Sequence, residues 1–127
     1  MYRKILVPLD GSAFGEHALP YAAGISKRAG AQLELMHVHP PLEPAYTEFQ
    51  LFDSDWETRV RDQEKEYLET IAKRVRETAP SIDIVTAHKD GYIAHTIREH
   101  AMQSAADLVV LTTHARGALG QIGRAHV

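Results

Sequence analysis

Two short apolar runs each end in a polar, glycine-bearing loop. Ile5-Leu6-Val7-Pro8-Leu9 leads into Asp10-Gly11-Ser12, and Leu108-Val109-Val110-Leu111 leads into Thr112-Thr113-His114-Ala115-Arg116-Gly117. Unbroken apolar runs of this length fit strands covered on both faces, as in parallel sheets between helix layers. Polar loops at the carboxyl ends of two such strands are where open α/β sheets hold ligands. The expected fold is a Rossmann-like three-layer α/β/α domain with its ligand edge built from these loops.

Between the two runs, helical and strand patterns alternate. A strand is expected over 4–9, then a helix over 14–28 with Leu19, Ala22, Ala23 and Ala29 toward the sheet. Pro20 is tolerable only near a first turn, so this helix should start late or kink there. Gly30 suits the left-handed position after the helix end. A second strand over 32–38 puts Leu33, Leu35 and His37 on one face and Glu34, Met36 and Val38 on the other. His39-Pro40-Pro41 is a stiff exit, and the stretch to about residue 55 reads as a loop over the ligand edge. A long amphipathic helix over 55–78 follows, with Trp56, Val60, Tyr67, Leu68, Ile71 and Val75 as its buried stripe and Glu69–Lys73 as a surface pair. The third strand is expected over 82–87, a turn at Asp90-Gly91, a helix over 93–104 using Ile93, Ile97 and Ala101, and the fourth strand over 107–111. Alternation without hairpin signals implies a parallel sheet with right-handed crossovers.

The 127 residues fit one domain, 1–127, large enough to bury its own core. With no cysteine, disulfides and thiolate metal sites are excluded, in keeping with a reducing, cytoplasmic setting. A net charge of −3 with scattered basic residues gives no phosphate-backbone footprint, so nucleic acid is not an expected partner. The apolar run behind Met1-Tyr2-Arg3-Lys4 stops at Asp10, too short for a signal peptide, and no stretch approaches a membrane span.

Val-Pro-Leu-Asp-Gly-Ser at strand one, His37-Val38 at the end of strand two, Gly91 before the third helix, and residues 106–114 around strand four occur in one order. Together they make the chain, from Tyr2 to about Gly120, resemble the universal stress protein family. That resemblance implies a parallel sheet of order 3-2-1-4-5, a homodimer, a regulatory or stress-response role, and in one branch a bound ATP, with Mg2+ as its accompanying cation. It implies no catalytic residues and at most slow ATP hydrolysis. Carried over, it points to Pro8, Leu9, Asp10 and Val38 for adenine and ribose. An ionised Asp10 is an acceptor only, suited to a ribose hydroxyl or the adenine amino group. Beside that role stands an ordinary one, as turn and cap residue with Ser12.

The family's phosphate loop runs glycine, two residues, glycine, nine residues, then Gly-Ser or Gly-Thr. Small residues there let backbone N–H groups approach phosphate oxygens. Here Thr112 and Ala115 stand for the two glycines and Ala125-His126 for the final pair, while Arg116 and Gly117 keep the pattern. The resemblance thus assigns Thr112, His114, Ala115, Arg116 and Gly117 to the nucleotide. The alternative, from another class, is a member that binds no nucleotide and acts as a dimeric interaction module. The last seven residues, Gln121 to Val127, are the translation of CAG ATC GGA AGA GCA CAC GTC, which after its first base matches a common sequencing adapter. A non-native tail is therefore expected over 121–127, with strand five missing.

Eight histidines raise the question of a metal. His37 and His39 share a strand face and form half a site, but no further ligands accompany them at metal spacing, and no metal is expected. His95 and His100 are expected to be solvated. No Walker A run, nucleophile elbow or Gly-x-Gly-x-x-Gly follows strand one. A receiver-domain reading of Asp10 fails for want of an acidic partner, and because the third strand ends in Ala87-His88-Lys89.

Overall fold

The computed structural model describes residues 2–41 and 55–112. Four strands, β1 (Lys4–Pro8), β2 (Gln32–His39), β3 (Ile84–Asp90) and β4 (Leu108–Val109), form one sheet of order β3-β2-β1-β4. All three pairings are parallel. The helices are α1 (Leu19–Ala29), α2 (Trp56–Thr78) and α3 (Ile93–Gln103), with a 3-10 turn over Gly15–Ala18 before α1. The expected three-layer α/β/α class and the order 3-2-1-4 are what the described residues form.

The apolar alternation decides the layers. Ile5, Val7, Leu33 and Leu35 pack with Leu19 and Ala22 of α1 and Leu68, Ile71 and Val75 of α2 on one face. Leu6, Met36, Val38 and Val109 pack with Ile97 of α3 on the other. Each fully buried Leu or Ile here contributes about 1.5–3 kcal/mol relative to exposure. No described helix is long and apolar enough to cross a membrane.

Pro20 sits in the first turn of α1, which begins at Leu19, so the helix starts late as expected. It ends with Gly30 in the left-handed region at φ 68°. Other boundaries differ from expectation. β3 runs over Ile84–Asp90, not 82–87: among the described residues it is an edge strand, and its polar end is paired by β2 down to His39↔Asp90. β4 is only Leu108–Val109, although the Val110 N–H still donates to the Leu6 carbonyl at 3.0 Å. Asp107 lies before β4; its Oδ2 accepts the N–H groups of Arg3 at 2.7 Å and Lys4 at 3.0 Å, tying the start of β1 to that of β4.

Four side chains also depart from expectation. Trp56, placed on the buried stripe, is 40% exposed because it opens α2 before the helix reaches the sheet. Ile93 is 38% exposed, since it stands at the start of α3 beyond the sheet edge. His100, expected in solvent, donates from Nε2 to Oε1 of the buried Glu34 at 3.0 Å, while Lys4 Nζ approaches the same oxygen at 3.5 Å. His95 does lie in solvent, beside Glu99 at 2.8 Å. Glu69, expected to pair with Lys73, accepts from Thr86 Oγ1 at 3.1 Å.

Candidate functional site

β1 delivers its last residues to the point where the chain leaves the sheet. The Leu9 N–H donates to the Met36 carbonyl at 2.7 Å, so Leu9 stays tied to β2 and Asp10 is the first exposed residue after β1. Gly11, at φ 89°, then makes a left-handed step that favours glycine. Asp10 Oδ1 accepts from the Ser12 N–H at 2.9 Å and from Ser12 Oγ at 2.6 Å. Ser12 Oγ in turn accepts the Gly15 N–H at 3.1 Å. The ordinary reading of Asp10 as a turn residue with Ser12 therefore holds geometrically.

A cleft of about 250 Å³ opens at the carboxyl ends of β1, β2 and β4. Pro8, Leu9, Asp10, Val38 and Thr112, all singled out from the sequence, line it together. His114, Ala115, Arg116 and Gly117 lie outside the described residues. The cleft sits beside β1, where β2 follows on one side and β4 on the other, the reversal point at which open sheets take ligands. Met36, Ile93, Ile97 and Leu111 add apolar wall.

Several lining residues were not anticipated. Met36 shares a face with Val38, so strand alternation carried its signal. Gly15 lies against Asp10, which only the folded turn reveals. His37 and Glu64 had no common signal, because one is on β2 and the other midway along α2. Glu64 meets His88 Nε2 at 2.8 Å, His39 Nδ1 at 3.0 Å and His37 Nε2 at 3.2 Å. Burial pushes the Glu64 carboxyl up, but the hydrogen bonds from His88 and His37 outweigh it and hold the group below the usual carboxylate range. His37 and His39 thus do have neighbours of ligand type. Among the described residues, however, no three such donors are arranged to hold a metal ion.

Chemically the cleft pairs an apolar wall, suited to a flat ring, with an acceptor at its mouth in Asp10 and a hydroxyl in Thr112. Its size is just below the usual range for ligand pockets, about 300–1,000 Å³.

The model of the universal stress protein family matches residues 1–124. A universal stress protein of Thermus aquaticus, from the 3' region of a QAH/OAS sulfhydrylase, is 29% identical over 122 residues, covering 96% of this chain and 85% of that one. Among solved structures, hypothetical protein MJ0577 superimposes with a TM-score of 0.76 at 20% identity, covering 98% of this chain and 90% of that one. A universal stress protein in complex with cAMP gives 0.64 at 21% identity, covering 95% and 81%. The motifs at the ends of β1, β2 and β4, the sheet order and a family match along nearly the whole chain agree, and the chain belongs to the universal stress protein family.

Proposed function

We propose that this protein binds an adenine nucleotide, ATP carried with Mg2+, in the cleft at the β1/β4 reversal, and serves as a cytoplasmic nucleotide-responsive regulator of stress tolerance. One observation carries the reading. The residues that the family motif assigns to adenine and ribose, Pro8, Leu9, Asp10 and Val38, line a single cleft with Thr112, the first residue of the phosphate-loop motif. Apolar walls from Met36, Val38 and Leu111 suit the base, and the acceptor-only carboxylate of Asp10 suits a ribose hydroxyl or the adenine amino group. The cleft volume matches the nucleoside half of such a ligand better than the whole, which leaves the phosphates to the loop after Thr112. A chain of the same fold solved with cAMP supports the fold's capacity for adenine nucleotides. The role is binding rather than turnover, with hydrolysis slow at most, and the working unit is a homodimer.

The test is mass spectrometry of small molecules carried through purification, followed by calorimetric titration with ATP. Co-purified adenine nucleotide, displaced by added ATP, is the expected result. A chain that emerges empty, binds no ATP or cAMP, and is dimeric by light scattering would instead be an interaction module.

A further inference from the structure

Three imidazoles close on one carboxylate at the wall of the cleft. Parallel pairing sets His37 beside His88 in the register of β2 and β3, and their rings stack at 5.9 Å. His39 lies one strand repeat further along the same face of β2. All three point a ring nitrogen at Glu64, and two of them also engage a second acceptor. His37 Nδ1 lies 2.8 Å from the Leu9 carbonyl oxygen, and His39 Nε2 lies 3.4 Å from Glu57 Oε1.

Both ring nitrogens of His37 and of His39 therefore face oxygens that carry no proton. A neutral imidazole has one N–H and one bare lone pair, so it would aim that lone pair at a carbonyl or a carboxylate. The doubly protonated ring donates at both positions. Two such cations also match two carboxylates, Glu57 and Glu64, so the charges close. His88 meets Glu64 through Nε2, a contact that needs only one ring N–H.

We propose that His37 and His39, as imidazolium ions, form a proton-dependent clasp that ties Leu9, on the floor of the nucleotide cleft, to α2, so that nucleotide affinity falls as the clasp loses its protons. This rests on the nucleotide reading of the cleft. His37 is a positioning residue: it acts through the Leu9 carbonyl and so sets where Pro8, Leu9 and Asp10 present themselves. The Leu9 N–H already binds β2 through Met36. The His37 bond secures its other side, and through Glu64 fastens both to α2.

The groups facing the clasp come from three directions. From α2 come Glu57, Glu64 and the edge of the Tyr67 ring, 6.5 Å from His37, whose hydroxyl donates to Glu16 at 2.8 Å. Arg61 of α2 lies 3.8 Å from Glu57 and 3.1 Å from Asp90, which occupies most of its charge. From β3 comes His88, and from the end of β1 the Leu9 carbonyl. The sign follows. Raising the pH removes a ring proton, turns a bare lone pair toward an oxygen and opens the clasp. Lowering it far enough protonates Glu64, whose depressed value keeps it ionised well below neutrality. Affinity should peak on the mildly acidic side and decline toward the alkaline one.

The test uses the full chain, labelled with 15N. Long-range 1H–15N spectra read the protonation of each ring nitrogen between about pH 5 and 8. In parallel, calorimetry measures ATP affinity across the same range for wild type, His37→Gln and Glu64→Gln. The ratio of wild-type to His37→Gln affinities cancels the ionisation of the ligand's own phosphates. The expected result is two protonated nitrogens on His37 and on His39 at the acid end. The wild-type advantage should shrink by about fivefold or more toward the alkaline end, with flat ratios between the two variants. A neutral His37 tautomer throughout, or a ratio independent of pH, overturns the clasp. So does tight uptake of Zn2+ by metal-stripped protein that Glu64→Gln abolishes, since the rings would then be ligands. If no form binds ATP at any pH, the nucleotide reading fails, and the 15N spectra of the wild type alone decide whether the imidazolium pair exists.

Discussion

A Cβ on Gly15 would stand 2.6 Å from Asp10 Oδ1 and 3.3 Å from its Cγ. That oxygen is the one Ser12 holds through two hydrogen bonds, so it has little freedom to retreat. Gly15→Ala should therefore push the Asp10 carboxylate out of its turn. The expected cost is about 1–3 kcal/mol of stability, as for other overpacked sites, with a loss of ATP affinity. Denaturant titration and calorimetry on one preparation check both. Unchanged affinity would show that the position of Asp10 does not matter to the ligand.

Asp10→Ala should weaken ATP binding by about 1.5–3 kcal/mol, the scale of a charge-assisted hydrogen bond. It also removes the turn acceptor, so a control is needed. Ser12→Ala keeps the carboxylate and its bond from the residue 12 N–H, and loses the Oγ bonds to Asp10 Oδ1 and the Gly15 N–H, at about 0.5–2 kcal/mol of stability. ATP affinity should fall for the first variant and hold for the second. Equal losses would leave Asp10 as a turn residue alone.

Glu34 is 6% exposed and depends on His100 and Lys4 for its partners. His100→Ala should cost about 1–3 kcal/mol, because a buried acceptor loses a donor that water cannot readily replace. In the Glu34→Gln background the same change should cost less. Urea melts of the four proteins give the coupling directly, and strict additivity would mean that the 3.0 Å contact contributes nothing.

The carboxyl end of α3 closes with Ala105 at φ 57°, where glycine is the usual residue. The Ala106 N–H reaches back to the Ala101 carbonyl at 3.0 Å, so the left-handed step is needed to satisfy the helix end. Ala105→Gly should stabilise the protein by about 0.5–1 kcal/mol, the left-handed penalty of alanine less the entropy of glycine. Thermal unfolding measures it, and a lower Tm would refute the argument.

Two carboxylates set the acid limit. Asp107 is held below the usual range chiefly by the Arg3 and then the Lys4 backbone N–H, and Glu64 is held low by its histidines against the opposing effect of burial. A carboxylate with a depressed folded value contributes stability above its unfolded value and loses it as pH falls through the folded one. Asp107→Asn and Glu64→Gln should therefore flatten the acid limb of the stability curve while lowering stability near neutrality. Urea midpoints from neutral to acid pH check this; an acid limb as steep as wild type would remove the two groups from the account.

The amino-acid sequence by itself determined the layered parallel sheet, because burial on both faces demands unbroken apolar runs and their alternation assigns each side chain a face. Leu33 and Leu35 separate from Met36 and Val38 by period alone. The late start of α1 followed from Pro20, and its end from Gly30. The motif at the end of β1 likewise set Asp10 at the carboxyl edge of the sheet, where it lines the cleft. Boundaries were less legible where polarity and pairing part company: β3 carries His88, Lys89 and Asp90 in register with β2 although its apolar run has ended. Only the tertiary structure decided that His37, His39 and His88 meet Glu64, that His100 reaches Glu34, and that Gly15 crowds Asp10. Periodicity says which face a residue takes within its own element. The distance between two elements depends on register and on how a helix lies across the sheet, and neither is encoded by a local pattern.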